Sequence, residues 1–378
     1  MTEMILTNAV LIRPDHMHPG TVVVRHGKIA EISDRRSHAP GAIDLGGCYL
    51  MPGVVDVHTD NLERQVQPRS NARWPSRSAF LSHDAQTAAA GVTTVLDALC
   101  LGDLGFDVER IQTFRDGMRD IDALTGTGLL KSEHFLHLRC EMPATDVIDL
   151  VDPVADHPRV RMISLMDHSP GVGQYSNMDF YRSVRRKAGH SEAAIDARIE
   201  KLKAQRETYR RPNRDRLLAR VKHLNVSLAS HDDETIENIA ENVADGIGIS
   251  EFPVRMDAAV AAHKSGMTVI AGAPNIVRGG SHSGNVGAAE LVRAGVVDAY
   301  ASDYVPAALV EAAFLSVERC GITLPKAVSM ITANPAAMAR LPDRGRLEAG
   351  LQADLLHVSM FEGLPVVRQV WRAGRRVA

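Results

Sequence analysis

No run of apolar residues in this 378-residue chain approaches the ~18 that a membrane-spanning helix requires. The opening residues, MTEMILTNAVLIRPD, carry Glu3 and lack the basic start and apolar core of a secretion signal. Only four cysteines are present (Cys48, Cys100, Cys140, Cys320), far apart and without a CxxC pair. They read as reduced thiols of a cytoplasmic protein rather than as a disulfide framework. Charge of one sign is also missing: the net charge is −3 with no long acidic or basic run, which argues against a dedicated nucleic-acid binder. No GxGxxG follows the first apolar strand, so the fingerprint of a dinucleotide-binding sheet is absent. No internal repeat of fixed period is visible.

What remains is ordinary globular composition, with 45% hydrophobic and 24% charged residues, and sixteen histidines, several of which end apolar runs. Both ends of the chain are strand-like and turn-rich. Residues 4–12 and 21–32 alternate loosely about a turn at Gly27-Lys28, and residues 354–358 and 366–371 precede Ala373-Gly374. A small β domain built from both termini, 1–50 and 341–378, is expected to flank a central domain over 51–340. That centre alternates in type. Apolar runs at 54–58, 92–98, 134–140, 160–166, 224–230, 246–250, 267–272 and 296–302 are separated by helical stretches such as 81–90, 106–123, 191–210, 233–244, 254–265 and 286–294. Eight short strands between helices is the pattern of a parallel barrel. The expected fold class is α/β, a (β/α)8 TIM-like barrel with a small β-sandwich domain, and an open doubly wound sheet is the alternative.

Barrel active sites lie at the C-terminal ends of the strands. Those ends carry His58 and Asp60, Glu141, His168, His231 and Asp303, all of metal-ligand type. A lone histidine at a strand end is more often a satisfied polar residue than a ligand; six such residues at successive ends point to a metal. Residues two apart on a strand share a side, so His58 and Asp60 can reach one ion, and His137, Arg139 and Glu141 share a face. Imidazole with carboxylate suits divalent Zn, Mn or Fe better than Ca. Six ligands exceed a closed zinc site. They accommodate two ions with Glu141 as the bridge, or one ion with some of the six supporting it. Asp56 and Glu63 read as supporting residues.

Two further segments start at the same face. The stretch AGAPNIVRGGSHSGN, 271–285, is rich in Gly, Ser and Asn. Asn275, Arg278, Gly279, Gly280, Ser281 and His282 are candidates, with Arg139, for holding an anionic substrate; an ordinary barrel loop is the plainer reading. The long connection 168–223 carries Arg182, Arg185, Arg186 and Lys187, which read either as arms for a polyanion or as a solvated helix face.

The ligand order resembles that of the amidohydrolase superfamily. The strings HTDNLE (58–63), HLRCE (137–141), MDHSPG, starting at Asp167 minus one residue (Met166), and APNIVRGGSHSGN (273–285) are similar to those of one branch, the diphosphatases acting on ribose phosphonate triphosphates in carbon–phosphorus lyase pathways. The usual first-strand HxH is HxD here, through Asp60, and Glu141 stands where the superfamily carries a carbamylated lysine. Both departures match the branch. The resemblance implies a metal-dependent hydrolase. It would split the α–β anhydride of a small-molecule ribose phosphonate triphosphate, with Asp303 orienting water and accepting its proton. Cleavage of C–N bonds, as elsewhere in the superfamily, and a non-catalytic scaffold are the competing readings. The sequence does not fix whether copies of the chain form a homo-oligomer.

Overall fold

The computed structural model describes residues 3–69, 72–105, 108–280 and 285–378. The chain is mixed α/β. Eight parallel strands, Val54–Thr59, Val92–Leu101, Glu133–Glu141, Val160–Met166, Ser227–His231, Ile249–Glu251, Thr268–Gly272 and Ala299–Ala301, pair in sequence order. They form a nearly closed barrel whose seam between the first and eighth strands is bridged at Thr59 and Asp303. There Asp60 N–H donates to Asp303 O (2.6 Å) and Asp303 N–H to His58 O (3.0 Å). The seam is thus joined by the residues that carry the candidate chemistry.

Alternation along the strands sorts the interior by height. Phe135, Met162, Ala229, Ile249, Ile270, Ala299 and Ala301 form an apolar floor, sealed from below by Ala336, Met338 and Leu341. Two residues further along the same strand faces come His137, Ser164, His231 and Glu251. The period of two therefore turns an apolar floor into a polar mouth. The first strand departs from this rhythm. Its pairing shifts register between Asp56 and Thr59, so Val57 joins the floor while His58 beside it reaches the mouth.

Strands from both termini form a separate sheet, ordered Arg375–Arg376, Leu364–Arg372, Leu355–Phe361, Tyr49–Pro52, Met4–Ile12, Met17–Arg25, Lys28–Ser33, with Ile43–Asp44 also against Met4–Ile12. Where a two-sheet sandwich is expected, the hydrogen bonding runs through one continuous sheet that curls on itself. The hairpin between Met17–Arg25 and Lys28–Ser33 turns at His26-Gly27, both at positive φ (52° and 76°), as a two-residue loop between paired Arg25 and Lys28 requires. A Cβ on Gly27 would lie 2.9 Å from Ala373 O in the last hairpin turn, so the two ends of the curl meet there.

The long connection after the fourth strand holds the helices Met178–Lys187 and Glu192–Val221. Asn213 Nδ2 donates to Met142 O and Ala144 O (2.9 and 2.8 Å), and Arg206 Nε to Asp167 (2.6 Å), which docks the longer helix on the barrel. The basic cluster is occupied within this pair. Arg182 and Arg186 bond Glu192, Arg182 also bonds Asp196, and Arg185 is buried over the Tyr181 ring. Among the described residues, no helix is long and apolar enough to cross a membrane.

Outside the barrel wall, the helix Ser76–Ala89 packs a buried polar network against the second and third strands. His83 Nε2 donates to Asp97 Oδ1 (2.7 Å) while its Nδ1 accepts from Asn61 Nδ2 (2.9 Å). His134 donates from both ring nitrogens, to Asp97 Oδ2 (2.8 Å) and Asp84 Oδ1 (3.1 Å). Burial alone would lower the His134 pKa; the Asp97 charge and the two hydrogen bonds outweigh it and hold the ring at about 9. The ordinary value is about 6.5. The stabilisation from charged His134 is therefore complete below about pH 6.5 and is lost as pH rises through about 9. Replacing His134 by Leu removes the positive charge between two buried carboxylates, which keep only His83 on Asp97 and the Lys131 and Ser132 amides on Asp84, and we expect it to cost about 3–5 kcal/mol near neutral pH. In chemical unfolding, the gap to wild type should narrow from pH 7 to 10. A gap that stays constant over that interval contradicts the assignment of a charged His134.

Candidate metal centre and cleft

The mouth is organised by a carboxylate that the sequence reading passed over. Glu251, fully buried at the end of the sixth strand, accepts from His58 Nδ1 through Oε1 (2.7 Å) and from His231 Nδ1 through Oε2 (2.7 Å). Ser164 Oγ adds a third bond (3.0 Å). Burial disfavours its charge, but the facing imidazoles His58 and His137, with the bonds from His231 and His58, hold the carboxyl well below the usual range. Glu141 does the same for the remaining histidine: its Oε1 bonds His168 Nδ1, and its Oε2 accepts from His168 N (3.3 Å). All three rings are thereby turned so that Nε2 faces the mouth. A carboxylate behind a metal-facing histidine fixes the tautomer and raises ligand basicity.

Against those Nε2 atoms stand three aspartates. His58 Nε2 is 3.4 Å from Asp60 Oδ1. Asp232 Oδ2 lies 3.6 Å from His168 Nε2 and 3.7 Å from His231 Nε2. Two groups of ligand atoms result, His58 with Asp60 and Asp303, and His168 with His231 and Asp232, each within 4.8 Å internally. The donors fit divalent ions. His58 Nε2 is buried without a hydrogen-bond partner, a costly state for a polar atom unless something else occupies that side. Burial lowers the His58 pKa and the Glu251 charge raises it, leaving the ring at about 10. In other words, carboxylates demand a positive charge at this spot, and a cation can supply it in place of a proton. Asp303 is pushed up to about 6 by burial and then by the Asp60 charge, the behaviour of two acidic groups crowded together.

Backbone strain places the acids. Asp232, Phe252 and Asp303 each sit just past a strand end with φ of 55°, 55° and 54°. Such left-handed residues cost of order 1–3 kcal/mol each and cluster at functional sites. Aspartate tolerates this region, whereas a phenylalanine there is a true outlier. Phe252 packs its ring 5.1 Å from that of His58 and 5.5 Å from that of His231.

The six expected ligands thus converge on one mouth, though Glu141 bonds His168 and joins neither group of three. Arg139, almost fully buried, donates from Nη1 to Asp60 Oδ1 (2.5 Å). His137 is spent structurally on Val57 O (2.9 Å) and Ser164 Oγ (2.5 Å), and burial lowers it to about 3. Asp56, under the mouth, accepts from His58 N (3.3 Å) and Ser302 N (3.1 Å).

A cleft of about 310 Å³ opens over the centre. Asn275 lines it. The expected loop at 273–278 is the short helix Ala273–Arg278, capped by Gly279 at φ 82°, and it leaves Arg278 and Gly279 exposed and Gly280 half-buried, outside the cleft lining. Ser281 and His282 lie outside the described residues. Arg110, Gln174, Tyr175 and Tyr304 also line the cleft and carried no signal in the sequence. Asp232 was hidden because it directly follows His231, so only its left-handed backbone turns it inward. Glu251 was legible in principle; the strand-like run GIGIS ends one residue before it.

The amidohydrolase family matches residues 188–378. Over 377 residues, 99% of this chain and 100% of the relative, the sequence is 39% identical to alpha-D-ribose 1-methylphosphonate 5-triphosphate diphosphatase of Escherichia coli (strain K12). It is 26% identical to imidazolonepropionase of Deinococcus deserti, over 94% of this chain and 91% of that one. Among solved structures, dihydropyrimidinase from Brevibacillus agri superposes with a TM-score of 0.66 at 14% identity, covering 99% of this chain and 95% of that one. N-acetyl-D-glucosamine-6-phosphate deacetylase from Mycobacterium smegmatis gives 0.65 at 18% identity, covering 99% and 100%. These last two likenesses concern the fold.

If Glu251 orients two of the metal-facing rings, Glu251→Gln should weaken divalent-metal retention by about 10–100-fold. Titration of the purified protein with a competing chelator measures this. Unchanged retention in a folded variant would remove Glu251 from that role.

Proposed function

Because the chain belongs to the amidohydrolase family, we propose that it is a cytoplasmic, metal-dependent hydrolase that converts alpha-D-ribose 1-methylphosphonate 5-triphosphate to the 5-phosphate and diphosphate. The observation that carries this reading is a cleft holding two groups of histidine and aspartate beside Arg110 and Arg139, in a chain alike from end to end to a relative named for that substrate. As part of the same reading, residues 51–340 form the catalytic (β/α)8 barrel, and 1–50 with 341–378 form the small β domain.

We assign His58, Asp60, Asp303, His168, His231 and Asp232 to hold one or two divalent ions of the Zn, Mn or Fe type, with Glu141 and Glu251 behind the histidines. Such ions offset charge on phosphoryl oxygens and make a water easier to deprotonate. The protein's own part is positioning and proton transfer. Asp303, held in a strained backbone at the seam and raised toward neutrality by its surroundings, takes a proton from the attacking water. The water oxygen bonds to the α-phosphorus, the bond from that phosphorus to the α–β bridging oxygen breaks, and its electron pair leaves with diphosphate. Arg139 neutralises Asp60 from behind and, with Asn275, faces the substrate.

Purified protein should release pyrophosphate from the ribosyl triphosphate and stop on chelation, while a cyclic amide offered alongside is not cleaved. Amide cleavage without pyrophosphate would overturn the assignment of substrate. Asp303→Asn should keep its metal content while kcat falls by about 10²–10⁴-fold, the usual contribution of a positioned acid–base group. Full turnover in that variant would rule Asp303 out as the base.

A further inference from the structure

The cleft lining is not uniform around the barrel. In the sector of the second to fourth strands it is polar and cationic. Arg139 ends the third strand, Arg110 comes from the helix Val108–Leu124 that follows the second, and Gln174 and Tyr175 come from the turn Gly173–Tyr175 after the fourth. Across the mouth, the described residues in the sector of the sixth to eighth strands are mainly apolar, with Phe252, Pro253, Ile270, Ala271 and Leu291, and with the Asn275 and Asn285 amides among them. The candidate metal ligands lie between.

The two arginines are not equivalent. Arg139 is nearly fully buried and its Nη1 is committed to Asp60. Arg110 keeps about a third of its side chain exposed (35%), and its ion pair with Glu63 runs through Nε at 3.5 Å. The Nη1–Nη2 edge of a guanidinium matches two phosphate oxygens. The triphosphate carries most of this substrate's charge at one end; the methylphosphonate at the other carries a single negative charge beside a methyl group and the ribose carbons, which offer apolar surface.

We propose that Arg110 binds the β- and γ-phosphates, the diphosphate that leaves, so that the triphosphate lies over the second to fourth strands and the sugar lies against the apolar sector opposite. This assignment rests on the functional reading above and fixes the direction in which the substrate occupies the cleft. Arg110 is then a specificity-determining residue for the length of the phosphate chain. It grips the part of the substrate that departs, and Arg139 serves the centre.

Inorganic pyrophosphate and the 5-phosphate product probe the two ends separately, as competitive inhibitors of the metal-loaded enzyme. In Arg110→Gln, the inhibition constant for pyrophosphate should rise about tenfold or more while that for the 5-phosphate product stays within about twofold. Arg110→Lys, which keeps the charge and loses the fork, should fall between wild type and Arg110→Gln for pyrophosphate. Thermal unfolding of both variants establishes that they are folded. A pyrophosphate constant that does not move overturns the proposal, as does a larger effect on the 5-phosphate product, which would place the substrate the other way round. Pyrophosphate release by the wild-type enzyme is measured in the same preparation. Without it, the functional reading fails and this assignment fails with it. With it, an unmoved pyrophosphate constant overturns the role of Arg110 alone.

Discussion

One buried carboxylate holds the mouth of the barrel in register. Glu251 accepts hydrogen bonds from the Nδ1–H groups of His58 and His231 on its two oxygens and another from the Ser164 hydroxyl. It thereby ties the first, fourth, fifth and sixth strands together at one height. A lone ionised carboxylate at this depth would be expensive; three donors and the surrounding imidazoles offset that cost. The consequence is directional. Because both Nδ1 atoms are committed inward, both Nε2 atoms face outward, and the donor set for a cation exists before any cation binds. His58 and Glu251 are 193 positions apart in sequence. This arrangement therefore forms only when the barrel closes, and the seam at Thr59 and Asp303 is the last rung on which it depends.

Strain and charge act together around that anchor. Asp232 and Asp303 occupy left-handed backbone at the ends of the fifth and eighth strands, a local cost that a folded barrel can hold in place. The gain is that two carboxylates enter the mouth from opposite sides. Asp303 is crowded against Asp60, and Arg139 beneath them keeps Asp60 ionised despite its burial. Acidic groups thus outnumber the cations that satisfy them at the centre, and among the described residues lining the cleft a further cation stands at Arg110. Such a gradient suits a substrate whose reacting phosphorus needs added positive charge and whose leaving group is a polyanion.

Much of this was legible in the sequence, for identifiable reasons. Period-two runs ending in His or an acid placed His58, Asp60, His168, His231 and Asp303 at one mouth, because strand ends in a parallel barrel share a face. Tertiary geometry hid the remainder. Asp232 depends on one φ angle. Arg110 sits on an ordinary helix and reaches the cleft only through packing. Glu251 fell just outside a strand boundary, the least certain feature of any sequence reading. The Gly-rich string after the seventh strand suggested an open loop, yet Ala273 to Arg278 closes a helical turn with Pro274 at its start, where proline's fixed φ favours helix. The basic cluster at 182–187 was also ambiguous in sequence, because its partners Glu192 and Asp196 lie on the next helix.

The same residue types occur a second time in the molecule, and the contrast shows what separates support from chemistry. His83, His134, Asp84 and Asp97 are as buried as the mouth residues, and His83, Asp97 and His134 also bring ligand-type atoms within 4.8 Å. Each of their ring nitrogens already has a partner: Asn61 and Asp97 for His83, Asp97 and Asp84 for His134. Such a network is complete in itself, and its role is to lock a helix onto the barrel wall. At the mouth, Glu251 and Glu141 hold the inner edge of each ring, and His58 Nε2 is left without a hydrogen bond among acids that call for positive charge. Burial and residue type alone do not distinguish the two clusters; the unfilled valence at the mouth does. Asn61 joins them, since it bonds His83 and directly follows Asp60 in the chain. The saturated network therefore braces the segment from which the unsaturated one takes its first-strand ligands.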